Sequence, residues 1–482
     1  MKVCLLNDSF PPVIDGVANV VMNYAKIMTE DGLAEVEVGT PRYPDTDYTG
    51  YPYRVVPYQS FDTTKIVKGY RAGNPFVISE LKNLADFEPD LIHSHCPVSS
   101  TLLARMLRTK TEAPLVFTYH TKFDIDIAKA VKSRLIQEGT IKALVSNIEA
   151  CDEVWVVSQG AGENLRSLGF EGEYRVVNNG VDFPKGKVSD EKIREACKGY
   201  DLPSGLPVFL YVGRIIKYKG IPMILEALGK LKRDGYDFRM VFIGSGPDMD
   251  ESKEIARQEG LLDSTDGADK AIFVGPIYDR DLLRAWNSRC DLFLFPSTYD
   301  TNGIVVREAA ACGLASVLIK DSCAAEGITD RGNGFLIEEN ADSMHNLLLK
   351  LCKEPELMKK AGSRAMNEIY ISWEQSVKEA HELYGQIIEK KKAGLYTTKR
   401  HRFAGNIKEI TDDMVLETRA LINMPTRIYD DMLDNVEEFK IDMELNTEEF
   451  KKLLRENYDD FRIKRANLKK KTYDRLYNMF KF

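Results

Sequence analysis

The 482-residue sequence predicts an α/β protein: two doubly wound parallel-sheet domains followed by a C-terminal helical extension. Three observations predict it. Short apolar runs rich in Val and Ile, bounded by turn residues, recur at the roughly 25- to 35-residue spacing of β-α units. They fall into two series separated by a polar, Pro-containing stretch. The final segment, beyond about Gly394, keeps a helical period but carries no further strand runs.

The first series opens with Met1-Lys2-Val3-Cys4-Leu5-Leu6, halted at once by Asn7-Asp8. That run is too short for a signal-peptide core and reads as a buried strand. Val36–Val38, Tyr53–Val56, Leu91–His95, Leu115–Tyr119, Val154–Ser158 and Tyr174–Val177 continue it. Continuous apolar runs suit parallel strands covered on both faces, and the amphipathic stretches between them are the crossover helices. The second series is Val208–Val212, Met240–Ile243, Ile272–Val274, Leu292–Phe295, Ala315–Ile319 and Phe335–Ile337. The boundary is expected near Asp182 to Pro207, giving domains over residues 1–190 and 200–372. Helical runs follow at Asp342–Leu351 and Trp373–Lys392, the latter expected to pack back on the N-terminal domain. Residues 393–482 form the extension, charged and Tyr-rich, ending in Lys469-Lys470-Lys471 and Tyr473, Tyr477, Phe480 and Phe482.

Composition excludes several classes. Hydrophobic content of 44% and charged content of 29% are those of a globular protein, and no run approaches the roughly 18 apolar residues of a membrane span. A net charge of −8 without a basic stripe argues against nucleic acid. The eight cysteines are scattered without a Cys-x-x-Cys pair, which fits a reducing cytoplasm. His93-Ser94-His95-Cys96 puts two histidines on one face of a strand, but no second ligand cluster accompanies them, and no metal is expected.

Chemistry concentrates in loops after strands. Gly16 opens the helix after the first strand, where backbone N–H groups favour an anion. The second series begins the same way: Gly213-Arg214-Ile215-Ile216-Lys217-Tyr218-Lys219-Gly220 follows its first strand. Arg214 and Lys219 are the residue types that hold a phosphate, one by paired hydrogen bonds and one as a point charge. Gly244-x-Gly246 lacks the third glycine of the dinucleotide fingerprint and follows a second strand, which argues against a dehydrogenase. The sharpest stretch runs from Phe295-Pro296 through Asp300, Thr301, Asn302 and Gly303 to Glu308. Its strand stops at Pro296, and a small-residue helix begins near Gly303. Asp300 stands before that helix and Glu308 in its second turn, while Asn302, Gly303, Ile304 and Val305 offer backbone N–H groups to a phosphate.

This stretch resembles the Glu-x7-Glu motif of retaining glycosyltransferase family 4, whose fold is the two-domain GT-B type. The likeness spans about residues 1 to 392 through the Gly16 loop, Tyr119-His120-Thr121, Asn179-Gly180-Val181-Asp182, Gly213-Arg214 to Lys219-Gly220, and Asp300 to Glu308. The resemblance implies that Arg214 and Lys219 bind a donor diphosphate and that Glu308 binds the ribose hydroxyls. Asp300 faces the transferred sugar with Gly303, Ile304 and Val305 around it. Gly16 lies against the phosphates, His120 near the sugar, and Ile277 against the base. Two departures stand out: Asp300 replaces the usual Glu, and Asn302 the common Phe.

The implied reaction moves a hexose from a nucleotide sugar, UDP-glucose or UDP-galactose favoured, with retention at the anomeric carbon. The departing phosphate takes the acceptor's proton, Arg214 and Lys219 stabilise it, and neither a cofactor nor an obligatory metal is required. Asp-x-Asp triplets at Asp45, Asp124 and Asp248 lie outside the phosphate loops. The competing readings are a nucleotide-sugar epimerase of the same architecture and a catalytically silent nucleotide-sugar-binding homologue. For the acceptor, Lys122 to Ile136 and the tail are basic and amphipathic, as membrane-surface segments are. The Ser297-Thr298-x-Asp300-Thr301-x-Gly303 variant is similar to that of diacylglycerol glucosyltransferases. A glycolipid or diacylglycerol acceptor at an anionic membrane surface is therefore expected, with the protein cytoplasmic and peripheral. A polysaccharide or small-molecule acceptor is the alternative.

Overall fold

The computed structural model describes residues 1–62, 70–75, 78–130, 134–263 and 269–396. The expected extension lies, from residue 397 onward, outside the described residues. The first lobe carries strands β1 Lys2–Leu6, β2 Glu35–Pro41, β3 Arg54–Tyr58, β4 Ser60–Asp62, β5 Arg71–Gly73, β6 Leu91–Ser94, β7 Leu115–Tyr119, β8 Glu153–Val156 and β9 Arg175–Val176. Its helices are α1 Gly16–Glu30, α2 Ile78–Ala85, α3 Ser99–Thr111, α4 Phe123–Ala130, α5 Arg134–Glu149 and α6 Gln159–Ser167. Helix α7, Asp190–Ala196, leads into the second lobe. There the strands are β10 Val208–Val212, β11 Arg239–Ile243, β12 Ala271–Gly275, β13 Leu292–Phe295, β14 Ser316–Ile319 and β15 Phe335–Ile337. Its helices are α8 Ile221–Arg233, α9 Met249–Gln258, α10 Arg280–Arg289, α11 Ile304–Ala311, α12 Ala341–Lys353 and α13 Glu356–Glu368, and α14 Trp373–Lys392 closes the described chain.

Both sheets are parallel and doubly wound, ordered β3-β2-β1-β6-β7-β8-β9 and β12-β11-β10-β13-β14-β15. The strand order reverses between β1 and β6 in one lobe and between β10 and β13 in the other. Ligands of such sheets bind beyond the carboxyl ends of the strands at those reversals. The loops carrying Gly16, Lys219 and Asp300 all leave switch-point strands. β10, β13 and β14 are buried throughout, as the continuous apolar runs require.

Six helices start behind an Asp, Ser or Asn whose side chain accepts a first-turn N–H: Asp15, Ser158, Ser189, Asp279, Asn340 and Ser372. Each such cap contributes about 1 kcal/mol. α14 buries Trp373, Val377, Ala380, Tyr384 and Ile387, one stripe at helical spacing, in the same core as Val20, Val21, Tyr24 and Trp155 of the first lobe. The chain thus returns after the second lobe to complete the first. Gly180 lies where it crosses: a Cβ there would sit 2.4 Å from the Trp373 Cα, so only glycine lets the linker pass the start of α14.

Three elements escape the sequence reading. α7 occupies the expected boundary but has seven residues and none buried, so no apolar stripe announces it. The β4–β5 hairpin has three residues per strand, too few to show a period. α13 follows α12 after only two intervening residues.

Candidate active site

The second lobe gathers the expected basic and acidic residues at its switch point. The loop after β10 turns through a short 3-10 segment at Lys217–Lys219, and the loop after β13 carries Ser297 to Gly303. Because β10 and β13 are hydrogen-bonded neighbours, the two loops meet. Lys219 Nζ lies 2.6 Å from Asp300 Oδ1 and 5.6 Å from the centre of the Phe295 ring. The Ser297 hydroxyl donates to Asp300 Oδ2. Both oxygens of Asp300 are therefore engaged within its own lobe. Arg214 is exposed, and among the described residues its guanidinium has no partner.

α11 begins behind Gly303, whose φ of 58° is left-handed and whose missing side chain leaves no cap. The first-turn N–H groups of Ile304 and Val305 accordingly donate to no group among the described residues. An uncapped helix start beside Lys219 is an anion-favouring site. Asn302 is buried just before it, and neither atom of its amide finds a partner among the described residues.

Glu308, in the second turn of α11, is buried rather than on an exposed helix face. Burial raises its pKa above the ordinary carboxylate value, and Arg280 opposes that rise. The Arg280 guanidinium donates to Glu308 Oε1, lies 3.5 Å from Asp182 Oδ2 in the interlobe linker, and covers the Phe183 ring at 4.6 Å. Sequence reasoning missed Arg280. A signal existed: it is the first residue of α10, where the helix dipole disfavours a cation. An Arg placed there is held by a partner elsewhere. Ile277, three residues earlier, is half-buried against the second-lobe core.

In the first lobe, His120 directly follows β7 and is half-buried. Burial keeps its ring neutral, with its pKa pushed down to about 3. Its Nε2 lies 3.0 Å from His95 Nδ1. His93 is occupied structurally: Nδ1 meets the Tyr384 hydroxyl at 2.5 Å and Nε2 the Thr118 hydroxyl at 2.7 Å. Among the described residues, no group of three or more His, Cys, Asp or Glu is arranged to hold a metal.

The helix start at Gly16 is partly occupied by the protein itself. Two N–H groups of that helix start, from Val17 and Ala18, donate to Asp15 Oδ1 at 2.9 and 2.8 Å. A Cβ at Gly16 would meet nothing within 4 Å, so no protein contact demands glycine. What remains for a ligand is close approach to an exposed backbone.

Interlobe contacts surround these groups. Thr301 Oγ1 donates to the His120 carbonyl at 2.7 Å, and Ser158 Oγ donates to the Thr301 carbonyl. The N–H groups of Gln159 and Gly160, at the start of α6, each donate to a Glu326 carboxylate oxygen at 2.6 Å. Lys122 Nζ reaches the Thr298 carbonyl at 3.4 Å. The basic segment that begins at Lys122 forms α4 and the start of α5, with residues 131–133 outside the described set.

Comparison with known proteins agrees with this architecture. Residues 14–184 match the model for Glycosyltransferase Family 4, and residues 192–368 that for Glycosyl transferases group 1. The alpha-monoglucosyldiacylglycerol synthase of Streptococcus pneumoniae is 24% identical over 393 residues, covering 80% of this chain and 85% of the relative. That of Acholeplasma laidlawii is 24% identical over 375 residues, covering 74% and 90%. Among solved structures, Anabaena Alr3699/HepE in complex with UDP superposes with a TM-score of 0.64 at 18% identity, over 80% of this chain and all of the other. Sucrose-phosphate synthase from Thermosynechococcus elongatus gives 0.61 at 21%, over 80% and 99%. The chain belongs to glycosyltransferase family 4 and is a sugar-transferring enzyme of the GT-B fold.

Proposed function

We propose that this glycosyltransferase moves a hexose, with retention, from a UDP-sugar to a diacylglycerol-type lipid acceptor presented at a membrane surface. The observation that carries the donor half is the anion site at the second-lobe switch point. Arg214, whose guanidinium has no partner among the described residues, and Lys219 share the loop after β10, and Lys219 pairs with Asp300 on the loop that leads into the uncapped start of α11. A sugar diphosphate supplies the matching charge, and this set stabilises the leaving diphosphate as the bond to the anomeric carbon breaks. The acceptor oxygen then bonds to that carbon on the face the phosphate left, and its proton passes to a phosphate oxygen. Glu308 accepts from the ribose hydroxyls, Asp300 from the hexose, and His120 contacts the sugar from the first lobe. Gly16 approaches the phosphates and Ile277 the base.

Both curated relatives described above are named as synthases of a glucosylated diacylglycerol, and the UDP complex of the Anabaena protein supports a uridine donor. No helix among the described residues is long and apolar enough to cross a membrane.

The test combines two steps. Thermal shift against a panel of nucleotide sugars identifies the donor, since a ligand specific to the native state raises apparent stability. The purified chain is then given that donor with diacylglycerol liposomes, and the anomeric configuration of the product is read by NMR. Formation of an α-glucosyl or α-galactosyl lipid supports the proposal. Product only on water-soluble acceptors refutes the lipid assignment, and conversion of the donor without acceptor points to an epimerase. Turnover unchanged in excess chelator supports metal independence, and abolished turnover refutes it.

A further inference from the structure

His95 directly follows β6, the switch-point strand, beside His120 at the end of the paired strand β7. The two rings lie edge to edge, with centroids 5.2 Å apart and planes 20° apart, and Nδ1 of His95 sits 3.0 Å from Nε2 of His120. Burial lowers the pKa of both, so both are neutral near pH 7. Two neutral imidazoles in contact share a single proton: one nitrogen donates and the other accepts.

The other nitrogen of His95 decides which. His95 Nε2 is buried and has no partner among the described residues. A proton on it would be a buried N–H without an acceptor, whereas a bare lone pair is the less costly vacancy. His95 therefore keeps its proton on Nδ1 and donates it to His120 Nε2. His120, accepting at Nε2, holds its own proton on Nδ1. That atom has no partner among the described residues, and the ring is only half-buried. His93 cannot serve in place of His95, because both its nitrogens are occupied by Tyr384 and Thr118.

We propose that His95 is a positioning residue that locks His120 in the Nδ1–H tautomer, so that the first lobe offers the substrate a hydrogen-bond donor and not a base. This rests on the reading that His120 contacts the transferred sugar. A neutral donor suits a sugar hydroxyl or a developing phosphate charge. It also leaves the acceptor's proton to the departing phosphate, because His120 has no lone pair free to take it.

The experiment uses the full chain with His95→Leu and His95→Asn. Asn carries an amide near the place of Nδ1 and can still donate to His120. Leu cannot, and an unrestrained imidazole reverts to the Nε2–H form. Long-range proton–nitrogen correlation spectra of histidine-labelled protein report the tautomer, with the His120 signal assigned by its loss in His120→Asn. The parent and His95→Asn are expected to show Nδ1–H, and His95→Leu Nε2–H. Turnover should fall about 10- to 100-fold in His95→Leu with donor KM within about threefold, and recover in His95→Asn. Nε2–H in the parent, or Nδ1–H persisting in His95→Leu, overturns the proposal. Full turnover in His120→Asn instead sinks the placement of His120 at the sugar, and the spectra separate the two failures.

Discussion

Replacing Arg280 by Gln tests the proposed role of the buried carboxylate Glu308 in binding the donor. Glu308 has a side chain only 7% exposed, and Arg280 is its charged partner, itself 44% exposed. Burial favours the protonated acid and Arg280 opposes this. Removing a charged hydrogen-bond partner from a buried carboxylate costs about 1.5–3 kcal/mol, and the half-exposed guanidinium brings that toward about 1–2 kcal/mol. At about 1.4 kcal/mol per tenfold, donor binding should weaken roughly 5- to 30-fold where the variant's Glu308 is protonated. The sign follows from the raised pKa. Without Arg280 it rises further, so the carboxylate is lost at a higher pH as acid is added. The ratio of variant to parent dissociation constants should therefore grow from the alkaline to the acid end of the range over which the protein stays folded. Isothermal titration with the nucleoside diphosphate identified by thermal shift measures it. A ratio flat across that range, or tighter binding by the variant throughout, refutes the reasoning. Tighter binding makes Arg280 a competitor of the ribose and not a support for Glu308.

Three further outcomes are expected. Arg214→Ala with Lys219→Ala should cut turnover by at least about 10³-fold, since one donor aimed at a developing oxyanion is worth about 10²–10³; parental product formation in a radiolabelled-sugar assay refutes the anion site. His93, His95 and His120 all have pKa values lowered by burial, so the stability they confer is full above the unfolded value of about 6.5 and lost as pH falls below it, by up to about 1.4 kcal/mol per unit for each. Urea midpoints from about pH 7 to pH 5 should show this slope reduced in His120→Asn, and an unchanged slope contradicts the neutral cluster. Glu326→Gln weakens two charge-assisted bonds to the start of α6, and small-angle scattering should show a larger radius of gyration; an unchanged radius removes Glu326 as an interlobe tie.

Much of the fold was legible because parallel strands covered on both faces must be continuous apolar runs, and Leu292–Phe295, Phe335–Ile337 and Trp373–Lys392 end where the sequence pattern ends. What escaped was either short and polar, like α7, or set by tertiary neighbours. The candidate site was legible where chemistry sits in a loop after a strand, as Lys219 and Asp300 do. It was not legible where a residue acts across sequence distance. Arg280 precedes Glu308 by 28 positions and joins it only because α10 and α11 pack together, and His95 meets His120 only because β6 and β7 pair. At Gly16 the structure adds a local feature that the sequence reading did not include: Asp15 caps its own helix, so that start has fewer N–H groups to offer.

The shorter carboxylate at position 300 gains meaning from its neighbours. An Asp on this loop is satisfied by Ser297 and Lys219 together, so without ligand the ammonium is neutralised within its own lobe. If the diphosphate of the proposed donor binds Lys219, it must draw the ammonium from one anion to another, an exchange that keeps it paired throughout and frees one Asp300 oxygen at the same moment. Under the proposed function, the freed oxygen has a lone pair to offer a sugar hydroxyl. The proposed function therefore predicts that phosphate binding and sugar recognition are coupled through this ion pair. Asp300→Asn is the discriminating change: losing the partner charge should leave Lys219 more available to a nucleoside diphosphate while weakening discrimination among sugars. Diphosphate affinity equal to the parent's, with sugar selectivity intact, shows that the ion pair has no part in recognition.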